Sequence, residues 1–290
     1  MLKSVVKLFR PSTLLVPMVG ALLFELLALK DTHTLSEWSI YWKVLLGAFV
    51  LAMTNAAGNI FNHIIDARDT DLYNTLKKHR PLVTGEIDSY LAMALGVYIF
   101  GFGMVIAFSV FNVISGLLIS LIMFFAFSYS FFPRFKKMLI LGNLSISAPR
   151  GMLGILTAYS FFNMPNINIL TFSFIMGVFV FFVNTTKDLE DYEPDKNVGI
   201  RNFVTVLGKN KAIKYIIIPG LYIPFLLYAV SQYLGLVHNN FVYLAIIMSI
   251  INHYVITKKN IIVRENALIW YLFYLEMGLL MLLFIVPSLL

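Results

Sequence analysis

Nine apolar runs divide the chain, at about 12–30, 40–62, 87–110, 112–132, 139–162, 168–187, 212–234, 240–257 and 266–290. Each is long enough to carry a helix across a hydrocarbon core of roughly 30 Å. The pattern predicts an all-α integral membrane protein with nine transmembrane helices in one domain over 1–290. The first run lacks a small-residue cleavage site and is expected to be a retained span, not a removed signal.

Charge tests this division independently. Of the 22 Lys and Arg, 19 fall on alternate segments. These are the N-terminal arm (Lys3, Lys7, Arg10) and the second-to-third (Arg68, Lys77, Lys78, Arg80), fourth-to-fifth (Arg134, Lys136, Lys137), sixth-to-seventh (Lys187, Lys196, Arg201, Lys209, Lys211, Lys214) and eighth-to-ninth (Lys258, Lys259, Arg264) connections. Only Lys30 and Lys43 lie on the other side, and Arg150 falls inside a span. The positive-inside rule then puts the N-terminus and these connections in the cytoplasm.

Composition agrees, since 59% of residues are hydrophobic and 13% charged, too little charge to cover a soluble domain of this length. The net charge of +7 reflects cytoplasmic loops beside anionic lipid, so no nucleic-acid partner is expected. With no cysteine, disulfides, thiolate metal sites and thiol nucleophiles are excluded.

The polar residues are not spread evenly. Eight of the 15 acids form two clusters, Asp66, Asp69 and Asp71, then Asp188, Glu190, Asp191, Glu193 and Asp195. Each begins where an apolar run ends, within loops at about 62–85 and 187–211. If segments one to four and five to eight are two copies of a four-helix unit, the loops hold equivalent places on the same side, with the ninth helix added.

Asn62 and Asp66 are four apart and share a helix face, and Asp69 or Asp71 extends the group. Asp188, Asp191 and Asp195, three and four apart, repeat the arrangement. Carboxylate and amide oxygens without cysteine suit a hard cation such as Mg2+, which binds one or two carboxylates together with substrate phosphates. Lys77, Lys78, Arg80, Lys187 and Arg201 lie in the same loops, where they can clamp phosphate oxygens.

With these residues in view, "NHIIDARDTDLYN...RPLVTG" resembles the first Asp-rich motif of the UbiA superfamily of intramembrane prenyltransferases, NDxxDxxxD followed by Arg-Pro and Gly. "KDLEDYEPDKNVGIRNFVTVLG" is similar to the second motif, KDxxDxxxD leading into a Gly, a basic residue and a "vvLG" ending. "YSFFPRFKK", Tyr129 to Lys137, resembles the family's YSxxPxRxK signature. The resemblance runs over nearly the whole chain, with the three motifs in order.

It implies that Asn62, Asp66 and Asp71, with Asp191 and Asp195, hold Mg2+ on a prenyl diphosphate, assisted by Asp188. It implies that Lys187, Arg80 and the group Tyr129, Arg134 and Lys136 contact the diphosphate or shield the cation, Asp66, Asp191, Tyr129 and Lys187 being the catalytic set. Two features depart from the pattern. His63 stands where the family has Asp, and the step from Asp66 to Asp71 is five where the family has four, so Asp69 competes with Asp71 as the second ligand.

The implied reaction ionises the allylic C–O bond of the donor and passes the prenyl cation to a nucleophile on the acceptor. An apolar chamber in the bilayer would hold the tail and exclude water, and 26 Phe and 15 Tyr supply rings for it. The acceptor is a lipid or an aromatic head group. The motifs are most like archaeal members that use geranylgeranylglyceryl phosphate, while other members serve quinone biosynthesis.

Arg150, in "SISAPRGMLG", needs a ligand or a partner at its depth. An acceptor carboxylate or phosphate is one reading and Glu276 or Glu25 as counter-ion the other, with Pro149 and Gly151 opening the helix beside it. Asn184, one turn before Asp188, is expected at the substrate; Asn143 lies near the end of its own helix. His63 is either a general base on the acceptor or a hydrogen-bonding residue. The rival from another class is a transporter or ion pathway using the acidic clusters, although transport sites usually lie near the midplane.

Overall fold

The computed structural model describes residues 2–258 and 266–289. Among these, every regular element is helical. The helices follow the apolar runs: α1 (Leu15–Asp31), α2 (Trp38–Asp66), α3 (Ser89–Phe111), α4 (Val113–Ser130), α5 (Leu139–Ser160), α6 (Ile167–Glu190), α7 (Lys209–Tyr233), α8 (Phe241–Thr257) and α9 (Asn266–Leu289).

Seven of the described helices are long and apolar enough to cross a membrane, and an eighth span arises if α1 is counted with the helix before it. The expected ninth, α8, falls below that length. Its first five residues, Phe241–Ala245, are wound as a 3-10 helix. The larger rise of that segment stretches α8 to roughly 28 Å. Lys259, Arg264 and Leu290, which entered the sequence reading, lie outside the described residues.

Residues before α1 form a short amphipathic helix, Leu2–Phe9, that buries Ser4 and Leu8 and exposes Lys3 and Lys7. It stops because Arg10 precedes Pro11, whose ring disfavours the helical conformation of its neighbour. Arg10 takes the left-handed region instead, at φ 52° and ψ 69°, and the chain bends by 57° into α1.

The basic connections meet at one end of the bundle. Ser4 donates to Glu86 (2.6 Å), Asn59 to the Phe9 carbonyl (3.1 Å) and Lys136 to Asp66 (2.6 Å), while Lys77 pairs with Asp191. These contacts join the N-terminal helix to the 67–88, 131–138 and 191–208 connections, four of the five basic segments. At the opposite end Asn112 donates to the Ser160 carbonyl (2.6 Å), Tyr159 to Asp31 and Lys30 to the Ser288 carbonyl.

An aromatic cluster fills the core toward that opposite end. Phe172 of α6 stacks on Phe284 of α9 with centroids 3.8 Å apart, and Phe24 of α1 leans on both. In α5 the backbone widens into a π-helix over Ala148–Leu153, where Pro149 brings no N–H to the helical ladder. Gly151 there lies so close to α6 that a Cβ would stand 2.6 Å from the Met176 carbonyl oxygen and 2.7 Å from Gly177 Cα.

Candidate active site

A cavity of about 530 Å³ opens among α1, α2, α4, α5, α6 and α9. On α2 its wall is Leu51, Thr54, Asn55, Gly58, Asn59, Asn62 and Asp66, one helical face that changes from apolar to amide to carboxylate. From Leu51 to Asp66 that face is roughly 22 Å long. On α6 the wall changes in the same direction, from Phe179, Val180 and Val183 to Asn184, Lys187 and Asp188. The cavity is therefore a charged mouth joined to an apolar chamber, and the Phe24, Phe172 and Phe284 stack lies beyond the deepest lining residues of α1, α6 and α9.

Both motif helices break at the mouth. Asp66 ends α2, and Asp69, at φ −136° and ψ −102°, starts a separate turn, Thr70–Tyr73. α6 stops before Asp191, whose φ and ψ of −84° and 9° precede a new turn, Tyr192–Asn197. Gly199, with φ 70°, reverses the chain, and Asn202 caps Phe203–Leu207 through a capping box with Thr205. The Asn202 amide donates to Asp195 Oδ2 at 2.8 Å.

The predicted residues separate into two groups. Asn62, Asp66, Arg80, Tyr129, Lys136, Arg150, Asn184, Lys187, Asp188, Asp191 and Asp195 all line the cavity. Asp69, Asp71 and Arg134 do not. Asp71 is buried and accepts from Arg80 at 2.6 Å, and Asp69 pairs with Arg134. Both carboxylates, expected as metal ligands, thus stand behind the wall, because the helix that would have aligned them with Asp66 ends at Asp66. Arg134, expected at the substrate, is turned toward Asp69 by a left-handed backbone, φ 61°.

The remaining carboxylates are held by amides and cations. Asn62 Nδ2 donates to Asp66 Oδ2 at 2.8 Å and Lys136 to its other oxygen at 2.6 Å. Asp191 Oδ1 accepts from Asn74 at 2.9 Å and from Lys77. Lys187 donates to the Tyr129 hydroxyl at 2.8 Å. Burial pushes the Asp195 carboxyl up to about 7, with Lys136 opposing, and burial likewise raises Asp71 despite Arg80. Burial would raise Asp191 too, but the Lys77 charge and hydrogen bond outweigh it and hold it below the usual range. Lys136 is held above its usual value because Asp66 overcomes its burial.

The donor set fits a hard cation. Asn62 Oδ1, Asp71 Oδ1, Asn184 Oδ1 and Asp195 Oδ1 are buried oxygens without a hydrogen-bond partner among the described residues, and all but Asp71 belong to the cavity wall. No group of three or more His, Asp or Glu among the described residues forms a metal cage by itself.

Several wall residues were not anticipated. Arg10 reaches the cavity and donates to His63 Nε2, so His63 acts as a hydrogen-bond acceptor. Asn59 donates to Thr13 Oγ1 (2.9 Å) and accepts from Arg150 Nη2 (3.3 Å). Arg150 is therefore not the partner of either glutamate: Glu276 accepts from Ser249 and Asn252, and the Glu25 oxygens make no hydrogen bond among the described residues. The spacing Asn55, Asn59, Asn62 and Asp66, a polar stripe at helical period on an apolar span, was the available signal. Asn143 bonds the Phe181 carbonyl and Thr185 Oγ1, a structural tie between α5 and α6.

The helical membrane bundle thus carries a charged mouth, whose oxygen donors fit a hard cation, over an apolar chamber. The chain belongs to the UbiA prenyltransferase family, whose model matches residues 14–275. It is thus an intramembrane prenyltransferase.

Among curated relatives it is similar to the digeranylgeranylglyceryl phosphate synthase of Saccharolobus solfataricus, 28% identical over 216 residues, covering 73% of this chain and 71% of that protein. The enzyme of the same description from Pyrococcus furiosus is 23% identical over 217 residues, covering 72% and 71%. Among solved structures, one of a digeranylgeranylglyceryl phosphate synthase superposes with TM-score 0.70 at 20% identity, covering 99% of this chain and 98% of that one. A UbiA homologue from Archaeoglobus fulgidus bound to DMAPP and Mg2+ gives TM-score 0.64 at 19% identity, covering 96% and 99%. At these identities the superpositions establish the fold.

Proposed function

We propose that this enzyme moves a prenyl group from an isoprenyl diphosphate, with Mg2+, to a lipid acceptor that carries a phosphate, of the geranylgeranylglyceryl phosphate class. The observation that carries this reading is the convergence of two broken, acid-tipped helices on one cavity whose inner part is apolar. Curated relatives named for digeranylgeranylglyceryl phosphate synthesis and a related structure holding DMAPP and Mg2+ support it.

In this reading Asn62 and Asp66 on one helix and Asp188, Asp191 and Asp195 on the other would supply metal ligands from opposite sides of the mouth, with phosphate and water completing each shell, and the metal would draw negative charge off the leaving diphosphate. Arg80, Lys136 and Lys187 supply fixed positive charge around the same oxygens. Asp71 and Asp69 orient Arg80 and Arg134 from behind. The Tyr129 ring, its hydroxyl held by Lys187, presents an electron-rich face where allylic charge develops. Asn184, with a buried and unpartnered carboxamide, stands where the mouth meets the chamber and orients the donor there. The chamber takes the tail and keeps water from the cation.

The acceptor reading rests on Arg10 and Arg150. Both guanidinium groups line the cavity, and neither forms a salt bridge with a carboxylate among the described residues. A phosphate can take two guanidinium groups at once. A quinone precursor with one carboxylate fills that site less completely. The N-terminus and the 67–88 and 191–208 connections face the cytoplasm in this reading, which the distribution of Lys and Arg supports.

The test is product formation in detergent with geranylgeranyl diphosphate and a panel of geranylgeranylglyceryl phosphate, 4-hydroxybenzoate, homogentisate and dihydroxynaphthoate, read by mass spectrometry. A prenylated glyceryl phosphate, lost on chelation and in Asp191→Ala, is expected. A prenylated aromatic product alone would move the assignment to quinone biosynthesis. Mg2+-independent turnover would remove the metal reading.

A further inference from the structure

Asp191 Oδ1 carries two donors from the opposite motif loop, the Asn74 carboxamide at 2.9 Å and the Lys77 ammonium. The pair is largely shielded, with side-chain exposures of 15% for Lys77 and 17% for Asp191. Lys77 also lines the cavity together with Arg80, Lys136 and Lys187, so its ammonium stands between a candidate metal ligand and the space for a diphosphate. The backbone on both sides of Lys77 is hydrogen-bonded. Backbone bonds run from Lys77 N to Asn74 O (3.0 Å) and from Arg80 N to Lys77 O (3.1 Å), Arg80 is fixed on Asp71, and Ser4 holds Glu86.

A divalent cation on Asp191 and an ammonium on the same oxygen repel each other at contact distance in a shielded site. A metal that takes Oδ1 displaces the ammonium from it, because the backbone around Lys77 is hydrogen-bonded while its four-carbon stem is flexible. The stem therefore moves and the loop stays. Asp66, Asp71 and Asp188 also lie within electrostatic reach of Lys77, but Lys136 and Arg80 already pair with the first two, and a diphosphate in the same cavity is the larger anionic charge open to the displaced ammonium.

We propose that Lys77 is an exchangeable counter-ion of Asp191. When a divalent cation binds Asp191, the Lys77 ammonium gives up that carboxylate and moves onto the phosphate oxygens of the donor. No covalent bond changes. Asn74, neutral, keeps the two loops joined through the exchange. Metal and diphosphate then bind with positive cooperativity, since each removes the cost that Lys77 imposes on the other. The inference rests on the reading of Asp191 as a metal ligand.

The experiment measures Mn2+ binding by electron paramagnetic resonance in the full-length protein in detergent, with Mn2+ alone and with Mn2+ plus inorganic pyrophosphate. Lys77→Met is expected to bind Mn2+ alone roughly tenfold more tightly than wild type, the scale of one lost charge-assisted hydrogen bond. With pyrophosphate the order should reverse, the variant gaining less from the anion than wild type does. Lys77→Arg, which keeps the charge, should retain wild-type cooperativity, and size exclusion with a melting curve checks that both variants fold.

Unchanged or weaker Mn2+ affinity in folded Lys77→Met, with Asp191→Ala abolishing binding, would overturn the exchange and leave the metal site standing. Unchanged Mn2+ affinity in Asp191→Ala would overturn the metal reading of Asp191 and the exchange with it.

Discussion

Arg150 Nη2 donates to Asn59 Oδ1 across the cavity at 3.3 Å, so the guanidinium inside the bundle is held by a neutral amide. An amide aims a cation without neutralising it. Glu25 and Glu276 are buried on other faces, and the positive charge is left for a ligand. The widened turn at Pro149 and the close approach of Gly151 to α6 set the position of that guanidinium.

Arg150→Met should raise the acceptor KM by about ten- to a hundredfold, from a charge-assisted hydrogen bond of ~1.5–3 kcal/mol. The donor KM should stay within a few-fold, and Arg150→Lys should fall between. Steady-state kinetics with each substrate varied in turn checks this. A rise in the donor KM with the acceptor KM little changed would assign Arg150 to the diphosphate.

Gly151→Ala should destabilise the protein by about 1–3 kcal/mol, because its Cβ would meet α6 backbone, which has no rotamer to yield. Activity should fall with stability as α5 is pushed off α6 and Arg150 is displaced. Thermal unfolding in detergent, compared with Gly101→Ala, measures it. A Cβ at Gly101 meets nothing within 4 Å, so that control should be neutral or gain up to about 1 kcal/mol from the better helix propensity of Ala.

Donor length should follow the chamber floor. Ala21→Phe fills the wall one turn short of the Phe24, Phe172 and Phe284 stack and should shift the ratio of kcat/KM from geranylgeranyl toward geranyl diphosphate. Phe284→Ala should act the other way, at a stability cost of about 3–5 kcal/mol. Competition between the two donors, with products separated by mass, gives the ratio directly.

Metal affinity should rise with pH through neutrality. Burial places the Asp195 carboxyl near 7, so it is protonated below and a stronger ligand above. Mg2+ binding should weaken as pH falls from 8 to 6, approaching about tenfold per unit where one proton is taken up for each ion released. Without added metal the sign for folding is opposite. A raised carboxyl contributes its stability at low pH and loses it as pH rises from about 4 through 7. The gain in melting temperature on adding Mg2+ should accordingly be larger at pH 8 than at pH 6.

The sequence by itself determined the medium, the helices and the chemistry of the mouth. Apolar run length and the sidedness of Lys and Arg follow from bilayer thickness and charge, which act on each segment separately. Asn62 with Asp66 is legible because four residues make one helical turn, and "KDLEDYEPD" is legible because five acids need counter-charges. Tertiary structure alone decided which charges meet. Asp69 and Asp71 turned to Arg134 and Arg80 because α2 ends at Asp66, a boundary no spacing rule sets. Asn59 and Arg150 meet from two helices, Arg10 joins the same cavity wall from the bend before α1, and Lys77 meets Asp191 across more than a hundred residues of chain. Burial makes such pairings strong, but which cation reaches which carboxylate depends on how the helices pack, and that information is spread over the whole chain.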